Sequence, residues 1–179
     1  MARSLIQNRL MGRRVIYRWA TFVAVVAFVV DRLSKWWFLD VFRLPERGVV
    51  EVLPILNFVM VWNRGISFGL LPAEGDLGRW ILVAVTLLIV IFLAFWLRRV
   101  NSSLLCLAIG LVIGGAIGNI YDRIVFGAVA DFFQFHALGY AFAVFNVADA
   151  AISIGAALMV WDALFGSGQR DPDNNTKEV

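Results

Sequence analysis

Four apolar stretches, near residues 18–39, 78–97, 102–122 and 146–165, constrain this chain more than any other feature. A helix needs about 20 mostly apolar residues to cross the hydrocarbon core of a bilayer. Inside lipid every backbone N–H and C=O must be paired within the protein. A chain with four such stretches is therefore expected to be an all-α membrane protein with four transmembrane helices. Composition agrees: 61% of the 179 residues are hydrophobic and 16% are charged, against about 25% charged in a soluble domain. One cysteine, Cys106, excludes an intrachain disulfide and a Cys-rich zinc site, and one histidine, His136, argues against a His-based metal site. The net charge of +3 comes from scattered or terminal basic residues, with no recognition module, so no nucleic-acid partner is expected.

The few charges orient the chain. Arg3, Arg9, Arg13, Arg14 and Arg18 precede the first stretch, and no acid occurs before Asp31. Excess Lys and Arg mark the cytoplasmic side. The N-terminus is then inside, as is the link with Arg98 and Arg99, and an even number of spans returns the C-terminus to the cytoplasm. A basic start followed by an apolar run also suits a cleaved secretory signal. Here the run 20–30 ends at Asp31-Arg32 without a small-x-small cleavage site, and Trp36 and Trp37 follow as an interfacial belt would place them. The first stretch reads as a retained helix.

The expected organisation is a basic cytoplasmic N-terminus (1–17), a four-span membrane domain (18–166) and a disordered cytoplasmic tail (167–179). Two segments lie outside. In the segment 40–77, the Val/Ile/Leu/Phe-rich part 49–61, broken by Pro54, predicts a small β or loop element between spans one and two. The run Asn63-Arg64-Gly65-Ile66-Ser67-Phe68-Gly69 reads as a turn leading to a loop. The second outside segment, 124–145, is too short and interrupted to span, and His136 within it reads as a loop residue without a catalytic role.

Ionisable residues in membrane segments are costly and therefore functional candidates. This topology brings Asp31, Asp122, Arg123, Asp131 and Asp149 to one outer rim, and leaves Asp162 as a solvated charge near the inner face. Helical spacing puts Asn146, Asp149 and Ser153 on one stripe, and Gly110, Gly114, Gly118 and Asp122 on another with Asn119 beside it. The glycine stripe predicts close helix packing. Asp31 pairs naturally with Lys35 at i, i+4, and Asp122 with Arg123 or Arg32. Asp131 and Asp149 outnumber the spare cations. By elimination they are the available catalytic pair: two close carboxylates cannot both ionise readily, so one serves as base while the other carries a proton. A small ion-coupled transporter using the same two residues as a proton relay, and a non-catalytic scaffold, are the alternatives.

Gly118-Asn119-Ile120-Tyr121-Asp122-Arg123, Gly127-Ala128-Val129-Ala130-Asp131-Phe132 and Phe142-Ala143-Val144-Phe145-Asn146-Val147-Ala148-Asp149 together resemble the lipoprotein signal peptidase (signal peptidase II) family. Asp31-Arg32-Leu33-Ser34-Lys35 and the run from Asn63 to Gly69 resemble two further family blocks, in the expected order. The resemblance implies an aspartic endopeptidase of the bacterial inner membrane, with its active site near the outer leaflet. Its substrate would be a diacylglyceryl-modified prolipoprotein, cut N-terminal to the lipidated cysteine. It implies Asp131 and Asp149 as the dyad. Asn63, Gly65, Arg123 and Asn146 would hold substrate and position the dyad, and Asp31, Lys35, Asn119 and Asp122 would support them. It also implies no metal or organic cofactor, and membrane lipids and the lipidated precursor as partners of a monomer. Ala143 stands where the family often has proline, Ala150 where serine is frequent, Ser67 where alanine is frequent, and Trp62 where a polar residue or His is frequent. None of these removes a carboxylate.

Overall fold

The computed structural model describes residues 2–65, 75–137 and 139–166, with side chains from Tyr17 onward. Ile66 to Gly69 of the turn run, the side chains of Arg3 to Arg14, and the tail 167–179 lie outside the described residues. The protein is mostly helical: α1 (Ala2–Trp36), α2 (Gly75–Leu97), α3 (Ser103–Val125) and α4 (Val147–Phe165). Three of these, α2, α3 and α4, are long and apolar enough to cross a membrane. Helix α1 reaches well before the expected start at residue 18, and carries Asp31, Arg32 and Lys35 in its last turns.

Helix α3 is central, because over half of its apolar window (56%) is buried against 11% in α2. It packs against α1, α2 and α4. Its glycines permit this. A Cβ on Gly110 would lie 2.6 Å from the Ala20 carbonyl oxygen of α1, and one on Gly115 would lie 2.5 Å from that of Ala148 in α4. Gly155 of α4 answers from the other side, facing the Ala108 carbonyl at 2.7 Å. The expected glycine stripe is thus a helix-packing surface. Away from α3 the helices are apolar outward: Val25, Val29 and Leu33 on α1, Leu88, Phe92 and Phe95 on α2, and Ile154, Val160 and Leu164 on α4 are exposed. Such outward apolar faces fit a lipid environment.

Helix ends are tied at the face opposite the sheet. Tyr17 donates its hydroxyl to the Arg98 carbonyl (2.6 Å), linking α1 to the end of α2. Ser102 caps α3 by accepting the Leu105 N–H (3.2 Å) and donates to Asp162 of α4 (2.7 Å). Asp162 is half-buried rather than simply solvated.

At the other end, one π-helical turn (Trp37–Val41) continues α1 and leads to a four-stranded antiparallel sheet in the order β1 (Val49–Leu53), β2 (Leu56–Asn63), β3 (Val129–Ala137), β4 (Tyr140–Ala141). Where a small β or loop element was expected, strands β1 and β2 form a hairpin, turning at Pro54-Ile55, where proline's fixed φ suits a turn. The β element is larger than expected, however. The segment between α3 and α4 adds two strands, and His136 belongs to β3, its Nε2 lying 3.1 Å from Asn57 Oδ1. No alternation announces β3, because its first four residues, Val129 to Phe132, are all buried; one face meets the helices and the other the sheet's own aromatic core. That core stacks Phe38 of the π-turn on Phe132 at 4.0 Å between ring centroids, with Leu44 buried alongside. The sheet is thereby seated on the end of α1.

Replacing Gly110 by valine should force α1 away from α3 and lower stability by about 1–3 kcal/mol, the usual cost of overpacking. Thermal unfolding in detergent would read this as a lower Tm.

Candidate active site

Strand register places the first carboxylate. Val61 of β2 faces Asp131 of β3, and Asn63 faces Val129. Asn63 is therefore the diagonal neighbour of Asp131 on one face of the sheet, and its Nδ2 donates to Asp131 Oδ2 (3.1 Å). The chain then returns from β4 through Phe145, which exchanges backbone hydrogen bonds with Phe133 (2.9 and 3.0 Å). This clamps Asn146, the N-cap of α4, beside Asp131. Asn146 Oδ1 accepts the Asp149 N–H (2.9 Å), while Asp149 Oδ2 accepts the Asn146 N–H (3.3 Å), a reciprocal capping box. The Asn146 Nδ2 is left to donate to Asp131 Oδ1 (2.6 Å). One asparagine thus starts α4 and joins the two carboxylates.

Asn119 of α3 completes the ring. Its Nδ2 donates to Asp149 Oδ1 (2.8 Å), and its Oδ1 accepts from Lys35 Nζ and from Asn146 Nδ2 (both 3.4 Å). Each of these three amides has its oxygen turned toward a donor: Gly65 N–H for Asn63 (2.9 Å), Asp149 N–H for Asn146, and Lys35 for Asn119. Their NH₂ groups have no choice but to face the carboxylates.

Beneath this lies a buried ion cluster. Lys35, 1% exposed, bridges Asp31 (2.9 Å) and Asp122 (2.7 Å), and Arg32 bridges the same two (3.0 and 2.5 Å). The expected Asp31–Lys35 pair is present, and of the two cations expected for Asp122 it is Arg32 that binds it. Both acids also hold backbone. Asp122 accepts the N–H of Ala130 (3.3 Å), the residue before Asp131, and Asp31 accepts that of Ala148 (3.1 Å), the residue before Asp149. Sequence reasoning missed Ala130 and Ala148, because a backbone donor leaves no mark in residue type. Arg123 donates to the carbonyls of Gly65 (2.7 Å) and Asn119 (3.4 Å), and its buried Nε has no partner among the described residues.

Asp131 and Asp149 are 1% and 6% exposed. Burial, and then the nearby Asp149 carboxylate, push the Asp131 carboxyl up to about 7, against the opposing pull of the Asn63 and Asn146 hydrogen bonds and the Lys35 charge. This pair can therefore hold one proton near neutral pH, which suits shared acid–base work. A cavity of about 480 Å³ opens beside Asp149, walled by Phe135, Phe142, Ala143, Phe145, Ala150 and Ser153. A second, of about 560 Å³, lies by Trp62, Arg64, Arg79 and Gly127.

The Asp131 carboxyl should titrate at about 7 in the resting protein, because burial and the Asp149 carboxylate raise it. Carbon-13 NMR of labelled aspartate, assigned with Asp131→Asn, would check it; a midpoint near 4 would contradict the buried pair.

Comparison with known proteins adds an independent line. A family model described as signal peptidase (SPase) II matches residues 23–165. The chain is 44% identical over 153 residues to the lipoprotein signal peptidase of Beijerinckia indica, covering 86% of this chain and 90% of that one. It is 45% identical over 148 residues to that of Methylorubrum extorquens, covering 83% and 86%. Among solved structures, a bacterial membrane enzyme determined in meso at 2.3 Å superposes with a TM-score of 0.73 at 27% identity, covering 89% of this chain and 93% of that one. Another, at 1.9 Å, gives 0.69 at 28% identity, covering 83% and 93%.

Proposed function

The chain belongs to the signal peptidase II family and is a membrane peptidase of lipoprotein precursors; on that premise we propose that Asp131 and Asp149 are its catalytic dyad, cutting a diacylglyceryl-modified prolipoprotein on the N-terminal side of the lipidated cysteine. The observation that carries this reading is the Asn146 side chain, which caps α4 at Asp149 and donates to Asp131 at 2.6 Å. One carboxylate takes a proton from water as the water oxygen attacks the scissile carbonyl carbon. The other gives its proton to the carbonyl oxygen, and the resulting diol collapses as the leaving amine is protonated. Family membership and the place of both carboxylates beside the sheet, rather than mid-span, favour this over an ion-coupled transporter.

Supporting roles follow the geometry. Asn63 and Asn146 set the orientation of Asp131, and Asn119 that of Asp149. Gly65 and Arg123 form one rim, where the Arg123 Nε, without a partner among the described residues, suits a substrate carbonyl. Asp31, Lys35 and Asp122 hold the two catalytic segments in place. The aromatic cavity beside Asp149 suits an acyl chain, so membrane lipid and lipidated substrate reach the site by the same route. The protein acts as a monomer.

Helix α1 is the fourth crossing. Its apolar faces at Val25 and Val29 are exposed, and tryptophans sit toward both ends of the bundle: Trp36, Trp37 and Trp80 at one, Trp19 and Trp161 at the other. This is the distribution of interfacial belts. The N-terminus and the tail are cytoplasmic, and the sheet with its dyad lies at the outer leaflet of the bacterial inner membrane.

Asp131→Asn and Asp149→Asn should each reduce cleavage of a lipidated precursor peptide by at least ~10²–10⁴-fold, the usual contribution of a positioned acid or base; near-normal turnover by either would refute the dyad. In the wild type, kcat/KM should fall as pH rises through the Asp131 value of about 7, because the dyad then loses its shared proton. For topology, Arg47→Cys should react with a membrane-impermeant thiol reagent added outside intact spheroplasts, while Arg99→Cys should not.

A further inference from the structure

A dyad needs polarity: one member ionised, the other protonated. The hydrogen bonds around the pair are not equivalent. Asp149 stands in the first turn of α4, where the helix dipole favours negative charge. Its two oxygens face the Asn146 N–H and the Asn119 Nδ2. Asn119 cannot turn away, because Lys35 is donor-only and occupies its oxygen. Asp131 lies on a strand, with no helix end, and among the described residues receives two neutral side-chain amides, from Asn63 and Asn146. One of these, Asn63, is half-buried at the rim.

We propose that Lys35 is a positioning residue that sets the polarity of the dyad: by holding the Asn119 oxygen it aims Asn119 Nδ2 at Asp149, which keeps Asp149 ionised as the base and leaves the catalytic proton on Asp131. This rests on the dyad reading above and adds an assignment to it. In the first step the water oxygen bonds to the carbonyl carbon, the water proton goes to Asp149, and the Asp131 proton goes to the carbonyl oxygen. In the second, Asp149 protonates the nitrogen as the C–N bond breaks, and one diol proton returns to Asp131. Acid and amine leave, and the dyad regains its starting state. Lys35 touches no reacting atom. It acts through Asn119 while also pairing with Asp31 and Asp122. The charged groups packed around the dyad are Asp31, Arg32 and Lys35 from α1, and Asp122 and Arg123 from α3; from β2 the contribution is the neutral amide of Asn63.

The test is a set of pH–rate profiles on full-length enzyme in detergent with a lipidated precursor peptide. Asn119→Ala, which leaves the ion pairs intact, should lower kcat by about 10- to 100-fold with KM little changed, the cost of losing a hydrogen bond to a charged group. Lys35→Gln should lower kcat too, through this link and through the ion cluster it shares with Asp31 and Asp122, and the two losses should combine to less than their product in the double variant, because part of each acts through one link. Should Lys35→Gln fail to fold, Asp31→Asn with Lys35→Gln removes one charge of each sign and takes its place in the cycle. Asn63→Ala assigns the proton: losing a donor to Asp131 should move the basic limb to higher pH and leave the acid limb where it is. Full kcat in Asn119→Ala, additive losses in the cycle, or an Asn63→Ala shift of the acid limb would each overturn the proposal. None of these would touch the dyad itself, which fails only if Asp131→Asn or Asp149→Asn still cleaves.

Discussion

Four clustered charges, buried Asp31, Lys35 and Asp122 with half-buried Arg32, are what the rest of this structure depends on. Removing such groups from water costs several kcal/mol per ion, and the cost is recovered only when every partner is well placed. Here each acid has two cations and one backbone N–H. The backbone donors belong to Ala130 and Ala148, so the cluster grips the chain one residue before each of Asp131 and Asp149. Breaking a buried pair by removing one partner typically costs about 3–5 kcal/mol. A cluster with such penalties tolerates little displacement, and the two segments it holds share that rigidity.

A second layer is built from neutral amides. Asn63, Asn119 and Asn146 each turn the oxygen to a donor and the NH₂ to a carboxylate, so the orientation of Asp131 and Asp149 follows from groups that carry no charge. Asn146 is the economical case: its oxygen starts α4 and its nitrogen reaches across to β3. The aromatic core of the sheet, with Phe38 on Phe132, seats β3 over the end of α1. The charged layer, the amide layer and the aromatic layer meet at Asp131, which is why its carboxyl is buried yet has a donor on each oxygen.

Much of this was legible beforehand. The helices α2, α3 and α4 fall within a few residues of the apolar stretches, because a run of some twenty apolar residues has few alternatives in lipid. A small β or loop element was visible in the apolar run 49–61 broken by Pro54, but its pairing as a hairpin was not. Asp131 and Asp149 stood out by elimination, since a chain with one Cys and one His offers few other catalysts. Strands β3 and β4 were not legible. Strand β3 is buried on both faces over its first half and so shows no alternation. Nor was the choice of Arg32 over Arg123 for Asp122, because neighbours in sequence on a helix point in different directions.

The sequence by itself determined that this chain suits a membrane, where its apolar segments lie, and which few polar residues were left as candidates for its chemistry. Hydrophobicity and residue inventory are properties of the chain, and they act before any fold exists. The tertiary structure alone decided which donor meets which carboxylate oxygen. That depends on the β2–β3 register, on the close approach of α1 and α4 to the glycines of α3, and on the Phe133–Phe145 pairing that brings Asn146 to Asp131. Hydrogen bonds act over about 3 Å, and residues as far apart as Lys35 and Asn119 come within that reach only once the helices have packed.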